Sequence, residues 1–271
     1  MKNRTLNDIL ISAYLSIWYK FSDRISLEIV RIKYRSDYEM PKENPLISII
    51  IPTYDRGQLL IDSTLPSILS QTYANYEVLI VGDCCVNETA NILTKIEHPK
   101  IKFINLPKRT KYPKDTTLRW FISGVGPLNY GLKIAKGDWL CSFDDDDIMA
   151  PDYLDSLLDF ARKGKYEYVA GLYEEEREGV KSVRGMRVAE YPEFGGHSTW
   201  LYRSYLRVFK YNINSWRKSY NRPQDIDLQL RMLEAGVKMG SLNKVVSYIK
   251  PRPGQTTIGL SARLEKPNEG A

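Results

Sequence analysis

The stretch GDWLCSFDDDDIMAPDYL, residues 137–154, carries the reading on which the fold turns. Gly137 is a stop for the helix before it, and residues 138–143 then form a short, largely apolar run. A run of that length between a helix stop and a polar cluster predicts a strand covered on both faces, as in a parallel sheet flanked by helices. Four consecutive carboxylates end it: Asp144, Asp145, Asp146 and Asp147. Like charges so close repel strongly unless a cation neutralises them. Carboxylate oxygens suit Mg²⁺ or Mn²⁺, which bind through one or two side chains and fill their shell with water and phosphate oxygens. The plain alternative is an exposed acidic turn in which Asp147 caps the helix that starts at Pro151.

Upstream the pattern repeats. Apolar runs at 47–52, 77–81 and 101–106 predict strands, while residues 59–70, 89–96 and 128–136 predict helices. Such alternation predicts an α/β chain with a mostly parallel sheet, and in open sheets of this kind ligands bind outside the carboxyl ends of the strands. The first strand ends in Pro52, Thr53, Tyr54, Asp55 and Arg56, the second in Gly82 and Asp83. With the aspartates, these ends offer a hydroxyl, an aromatic ring and carboxylates to one crevice, a set suited to a base, a ribose and a metal-bound diphosphate. Singly, Thr53 and Tyr54 also serve to close a strand, and Asp83 to cap a helix. Residues 107–126 form a long connection carrying Lys108, Arg109, Lys111, Lys114 and Arg119, and a connection of that length is functional or mobile. Downstream the pattern predicts a helix after Pro151, a strand at 166–172, a charged hairpin at 174–187, a helix at 225–235 stopped by Gly236, and a strand at 244–249.

Composition narrows the partners. An apolar content of 43% in 271 residues supplies a sizeable core and excludes disorder for most of the chain. The 39 basic and 33 acidic residues leave a net charge of +6, concentrated beyond Arg203 at Arg207, Lys210, Arg217, Lys218 and Arg222. That excess suits phosphate-bearing ligands, nucleic acid or an anionic membrane surface equally, and a solvated basic face as well. Three cysteines, two of them adjacent at Cys84 and Cys85, exclude a disulfide framework and fit a reducing, cytoplasmic setting. Residues 6–19 follow Lys2 and Arg4, are interrupted by Asp8, and fall short of the roughly 20 apolar residues that span a bilayer. They predict an amphipathic helix, continued by a second at 26–34, before a linker bracketed by Pro41 and Pro45. This extension, residues 1–44, packs on the main domain or attaches peripherally to a membrane through Trp18, Tyr19 and Lys20.

Four segments resemble the inverting family 2 glycosyltransferases of the GT-A fold: ISIIIPTYDR (47–56), SILSQTYANYEVLIVGD (67–83), LNYGLKIAKGDWLCSFDDDDIMAPDYL (128–154) and QDIDLQLRMLEAG (224–236). Their order and spacing run through residues 47–261. The resemblance implies a Rossmann-like, mostly parallel sheet flanked by helices over residues 45–271, with 45–150 binding a nucleotide-sugar and 151–271 an acceptor. It implies that Pro52, Thr53 and Tyr54, or its neighbour Asp55, flank the nucleobase, that Arg56 lies near it, and that Asp83 binds its edge. Asn129 joins the nucleotide-sugar site. Asp144 and Asp146 take the acidic positions of a DxD motif around Asp145, with Asp146 the direct ligand of Mn²⁺ or Mg²⁺. Asp225 matches the catalytic base, Asp227 standing two residues on. Two positions depart from the family pattern: Gln224 replaces an acidic residue and Leu128 an arginine, so phosphate or base contacts pass to Arg119 or to residues 108–111.

The same resemblance implies an acceptor-side loop at Gly195, Gly196, His197, Ser198, Thr199 and Trp200, and a closing loop at Lys250, Arg252 and residues 254–257. The expected reaction moves a sugar from a nucleoside diphosphate sugar, foremost a UDP-sugar, to a growing surface polysaccharide or lipid-linked glycan, with inversion. A modified nucleic acid is a further acceptor class. Two rivals stand beside this reading. A sugar-phosphate nucleotidyltransferase requires a glycine-rich phosphate loop after the first strand, where only Gly57 is found, and a non-catalytic nucleotide-sugar-binding module has no use for both the acidic cluster and Asp225.

Overall fold

The computed structural model describes residues 5–36, 40, 42–185, 196–217 and 223–264. It opens with helix α1, Leu6–Lys33, a single helix where the sequence predicts two. Thr5 and Asp8 cap each other's backbone at its start, and no glycine or proline interrupts residues 20–25. Asp23, between the two expected helices, is held by Arg231 at 2.8 and 3.1 Å.

Strands and helices then alternate. β1 is Ile47–Thr53 and is buried throughout. A helix in three parts follows, Gly57–Leu59, the π-helical turn Leu60–Thr64 and Leu65–Leu69, together α2. Next come β2 (Tyr76–Gly82), α3 (Asn87–Thr94) and β3 (Ile101–Asn105). Within the long connection lies a short helix, α4 (Thr116–Phe121), capped by Asp115, before α5 (Val125–Ile134) and β4 (Trp139–Ser142). The second half holds β5 (Ile148–Met149), α6 (Tyr153–Lys163), β6 (Tyr168–Arg177), β7 (Val180–Arg184), β8 (Trp200–Arg203), α7 (Gln224–Ala235), β9 (Met239–Ile249) and α8 (Gly259–Leu264).

Among the described residues all nine strands join one sheet in the order β3-β2-β1-β4-β8-β6-β9-β5, with β7 paired to β6. β1, β2, β3 and β4 run parallel, and β8 enters antiparallel between β4 and β6. Alternate residues of β1 serve two cores: Ile50 packs with Leu128, Leu140 and Leu228, and Ile49 and Ile51 with Val78, Trp139 and Leu157. Each isoleucine is fully buried, worth roughly 1.5–3 kcal/mol. Gly131 lets α5 settle on β1, since a Cβ there would lie 2.3 Å from Ile50 Cγ2. The register Thr53↔Gly82 and Ile50↔Ser142 brings the carboxyl ends of β1, β2 and β4 side by side. Those ends are the floor of the site.

Several expectations change here. Trp200 is not a loop residue: it opens β8, pairs with Ala170 and is fully buried against Tyr168, so it offers no face to an acceptor. Much of the basic third is also committed internally. Arg207 donates to the Leu132 and Ala135 carbonyls, Arg217 pairs with Asp8, and the Arg203 guanidinium lies 4.2 Å from the Trp139 ring centroid. Pro41, Gly195, Lys218 and Arg222 lie outside the described residues. Among the described residues, no helix is long and apolar enough to cross a membrane.

Candidate active site

Two adjoining cavities open along the carboxyl edge of the sheet, sharing Arg56, Ser123 and Asp144 as a common wall. The smaller, about 360 Å³, is lined by Pro52, Thr53, Tyr54, Asp83, Arg109, Tyr112 and Asp145 among others. Its two lips are the turns after β1 and β2, where Asp55 (φ 53°) and Cys84 (φ 59°) adopt the left-handed conformation that side chains other than glycine resist. Backbone strain of this sort costs of order 1–3 kcal/mol and gathers where a chain must turn beside a ligand. The Arg109 guanidinium sits 3.5 Å from the Tyr54 ring centroid. Asp83 accepts hydrogen bonds from the Thr110 backbone N–H (2.9 Å), Thr110 Oγ1 (2.8 Å) and the Tyr112 hydroxyl (2.6 Å). Burial, and then the bond to Asp83, push the Tyr112 phenol upward and keep it a donor. Thr110 and Tyr112 carry no periodic or motif signal, and only the length of their connection marked them.

The four aspartates turn out to have four environments. Asp145 is buried, and its carboxylate receives Thr53 Oγ1 and Arg56 Nη1, each at 2.7 Å, so it braces β1 against β4. Burial pushes its carboxyl up despite Arg56. Asp146 meets Arg56 at 3.3 Å and Arg252 at 2.6 and 2.7 Å and faces the larger cavity. Asp147 is buried with Oδ2 unpartnered, and burial, then the charges of Asp144 and Asp146, push it well above the carboxylate range. Asp144 keeps 45% of its side-chain surface and meets His197 Nε2 at 2.8 Å. Desolvation by the crevice walls works against its charge, but the His197 charge beside it holds the carboxyl below the ordinary range. Burial opposes the His197 cation in turn, and Asp144 outweighs it, raising His197 to about 9. His197 is therefore a buried partner for Asp144, edge-on to Trp200 and Tyr211. It also lines the larger cavity, where the sequence expected an acceptor contact.

The larger cavity, about 640 Å³, is lined by Asp144, Asp146, Asp147, Trp120, Asp225 and Arg252, with Glu175, Arg177 and Arg184 of the β6–β7 hairpin on its outer wall. Asp225 stands in the first turn of α7, and among the described residues its Oδ1 accepts only the neighbouring Ile226 N–H at 2.9 Å. Burial pushes its carboxyl up, with the His197 charge acting in opposition. Asp227 is fully buried, lies 3.8 Å from Arg231 and lines neither cavity, which separates the two acidic candidates on α7. Gln224, in the place of an acid, ties the start of α7 to the Ser123 carbonyl. Asn129 is a further correction: both amide atoms bond the Tyr211 backbone, at 2.9 Å each, and it reaches neither cavity. Its job is to hold α5 to the segment after β8. Lys250, Arg252, Gln255 and Thr257 all line the larger cavity.

Among the described residues no cluster of three or more His, Cys, Asp or Glu is arranged as a metal cage. The donor set nevertheless fits Mg²⁺ or Mn²⁺, which are held by one or two carboxylates with water and phosphate completing the shell. Asp146 is such a carboxylate, part-exposed on the cavity wall beside Asp144.

The family model described as glycosyltransferase like family 2 matches residues 44–207, more than half of the chain. The chain belongs to the family 2 glycosyltransferases. Among its relatives is the Escherichia coli UDP-Glc:alpha-D-GlcNAc-diphosphoundecaprenol beta-1,3-glucosyltransferase WfaP, 26% identical over 81% of this chain and 82% of that protein. The chain spans less than two fifths of two further curated relatives, 38% and 36% of their lengths. Two solved structures share the architecture. Staphylococcus aureus TarS 1-349 in complex with UDP-GlcNAc superposes with a TM-score of 0.57 at 18% identity, over 80% of this chain and 60% of that one. The mannosyltransferase PcManGT of Pyrobaculum calidifontis, in complex with GDP-Man and Mn²⁺, does so with a TM-score of 0.56 at 14% identity, over 87% and 67%. The fold is GT-A.

Proposed function

We propose that this family 2 chain moves a sugar from a nucleoside diphosphate sugar, foremost a UDP-sugar, to a lipid-linked glycan or growing surface polysaccharide, with inversion at the anomeric carbon. The observation that carries the reading is Asp225: a carboxyl raised by burial, with one local donor, lining the same cavity as Asp144 and Asp146. The nucleobase lies in the smaller cavity against Tyr54 and Arg109, its edge met by the Asp83–Thr110–Tyr112 group. The diphosphate crosses the shared wall at Arg56 and Asp144, within reach of Arg252, and the sugar projects into the larger cavity.

There the acceptor hydroxyl gives its proton to Asp225 as its oxygen bonds to the anomeric carbon. The bond to the diphosphate breaks on the opposite side and the electron pair leaves with it. A raised carboxyl is the stronger base once ionised, and Arg56 and Arg252 meet the charge that develops on the leaving group. A divalent cation held by Asp146, with Asp144 beside it, would supply Lewis-acid stabilisation of that charge. The names of WfaP and of the TarS complex support uridine as the nucleotide, WfaP supports a lipid-linked acceptor, and PcManGT supports the metal.

The test is thermal stabilisation by a panel of nucleotide-sugars with and without Mn²⁺. UDP-sugars are expected to raise Tm only when the metal is present. Equal stabilisation in chelator, or none by any nucleotide-sugar, overturns the reading.

A further inference from the structure

Helix α1 packs on the body with one side and leaves the other uncovered. Its buried residues are Ser12, Asp23, Leu27 and Val30. On the opposite side Leu10, Tyr14, Ile17, Phe21, Ile25 and Ile32 follow helical spacing and stand 60 to 77% exposed. Trp18 and Ile29 widen the strip, which reaches back to Leu6. At 1.5 Å per residue it runs for roughly 40 Å. A surface helix ordinarily turns its apolar stripe inward, so this one is built for a second apolar medium.

The charge around the strip indicates which medium. Lys20, Arg24 and Lys33 are exposed on α1, and Lys2 and Arg4 precede it in sequence. Of the acids on the helix, Asp8 is bound by Arg217 and Asp23 by Arg231, while Glu28 meets Arg31 at 3.1 Å and keeps 61% of its side-chain surface, the one acid on the exposed strip among the described residues. Lys20, Arg24 and Lys33 outnumber Glu28 on the exposed side, and an apolar face with aromatic residues and a net cationic margin matches a helix lying in the plane of an anionic bilayer. A second copy of the chain fits less well. Lys20 and Arg24 lie near the middle of α1, where two-fold pairing along the helix would set them against the same cations of the partner.

We infer that the outward face of α1 docks in the interfacial layer of an anionic membrane, with the helix in the membrane plane. The body is carried on this helix by fixed contacts. Arg31 binds Glu167 at 2.6 and 3.0 Å and donates to the Gly236 carbonyl at 2.8 Å, while Asp23 holds Arg231. Passing from Asp23 to Arg31 on α1 thus follows α7 from Arg231 to its end at Gly236, so the two helices run in the same direction. Asp225, at the start of α7, lies toward the first half of α1, where Tyr14, Ile17 and Trp18 are displayed.

This inference does not rest on the transfer reading and is tested without turnover. The full chain is co-sedimented with vesicles of phosphatidylcholine alone and of phosphatidylcholine with phosphatidylglycerol, and its mass is followed by sedimentation equilibrium without lipid. Wild type is expected to bind the anionic vesicles. The triple variant Phe21→Ser, Ile25→Ser, Ile32→Ser is expected to lose tenfold or more in affinity with Tm unchanged, because those side chains are exposed. Lys20→Gln with Arg24→Gln is expected to erase the preference for phosphatidylglycerol. No vesicle binding by wild type, or undiminished binding by a folded triple variant, overturns the inference. So does a wild-type dimer that the triple substitution dissociates while vesicle binding persists, which would assign the face to a second copy.

Discussion

The two cavities that share the carboxyl edge of the sheet are finished in opposite ways. In the smaller one the polar groups are already bonded to one another: Asp83 has three donors, Asp145 has Thr53 and Arg56, and Tyr54 lies under Arg109. In the larger one Asp225 has, among the described residues, a single local donor and a carboxyl pushed upward by burial. Saturated groups hold a shape, and a ligand is matched to them without reorganising the protein. An unsaturated, desolvated carboxylate has a stronger pull on a proton than on position. On the proposed reading, the difference separates a recognition surface from a reacting one, although both stand on the ends of the same strands.

Substitution sharpens that contrast, and the largest effect belongs to Asp225. Asp225→Asn removes the proton acceptor but preserves shape and the oxygen that accepts the Ile226 N–H, so turnover is expected to fall roughly 10²-fold or more while nucleotide-sugar affinity holds. Turnover within a few-fold of wild type, in a folded protein with donor bound, would place the base elsewhere. The pH profile adds a sign. The ionised form is the active one, so the wild-type rate should rise with pH and level off only above the ordinary aspartate range, near 3.9, because burial raises this group. The asparagine variant should show no such step.

Asp146→Ala comes next. It is expected to abolish the metal-dependent part of nucleoside diphosphate binding, about tenfold or more by calorimetry with and without Mn²⁺. Full metal-dependent binding by the variant would remove Asp146 as ligand. The smallest effect is expected at Tyr112→Phe, which deletes one of three donors to Asp83 and should weaken nucleotide binding by roughly fivefold with turnover at saturation unchanged. A large drop in saturated turnover there would mean that the recognition surface also shapes the transition state.

The parallel half was legible because its signals are local and strong. Residues 47–52 were expected as a strand and β1 is Ile47–Thr53; residues 77–81 were expected and β2 is Tyr76–Gly82. The strand-end residues Thr53, Arg56, Asp83 and Asp144 meet because parallel register forces them to. What was not legible depends on tertiary pairing. β8 has four residues, and its tryptophan beside a glycine pair reads as well for a sugar platform as for a strand buried between two others. Asn129 gave no sign that the Tyr211 backbone would take both its amide atoms. The single span of α1 was hidden because the polar stretch between residues 19 and 26 includes Asp23, whose partner Arg231 lies 208 residues away.

Arg252 has one further consequence. In the free protein its guanidinium is paired with Asp146, so the carboxylate on which a metal would rest is already neutralised by cations from two loops. On the proposed reading, a divalent ion arriving alone would compete with Arg252, whereas a diphosphate arriving with it would give Arg252 another anion and free the carboxylate. The exchange would keep the number of ion pairs constant and make the two ligands allies, each tightening the other by the same factor, as linkage requires. The chain would then be nearly indifferent to the metal until the nucleotide appears.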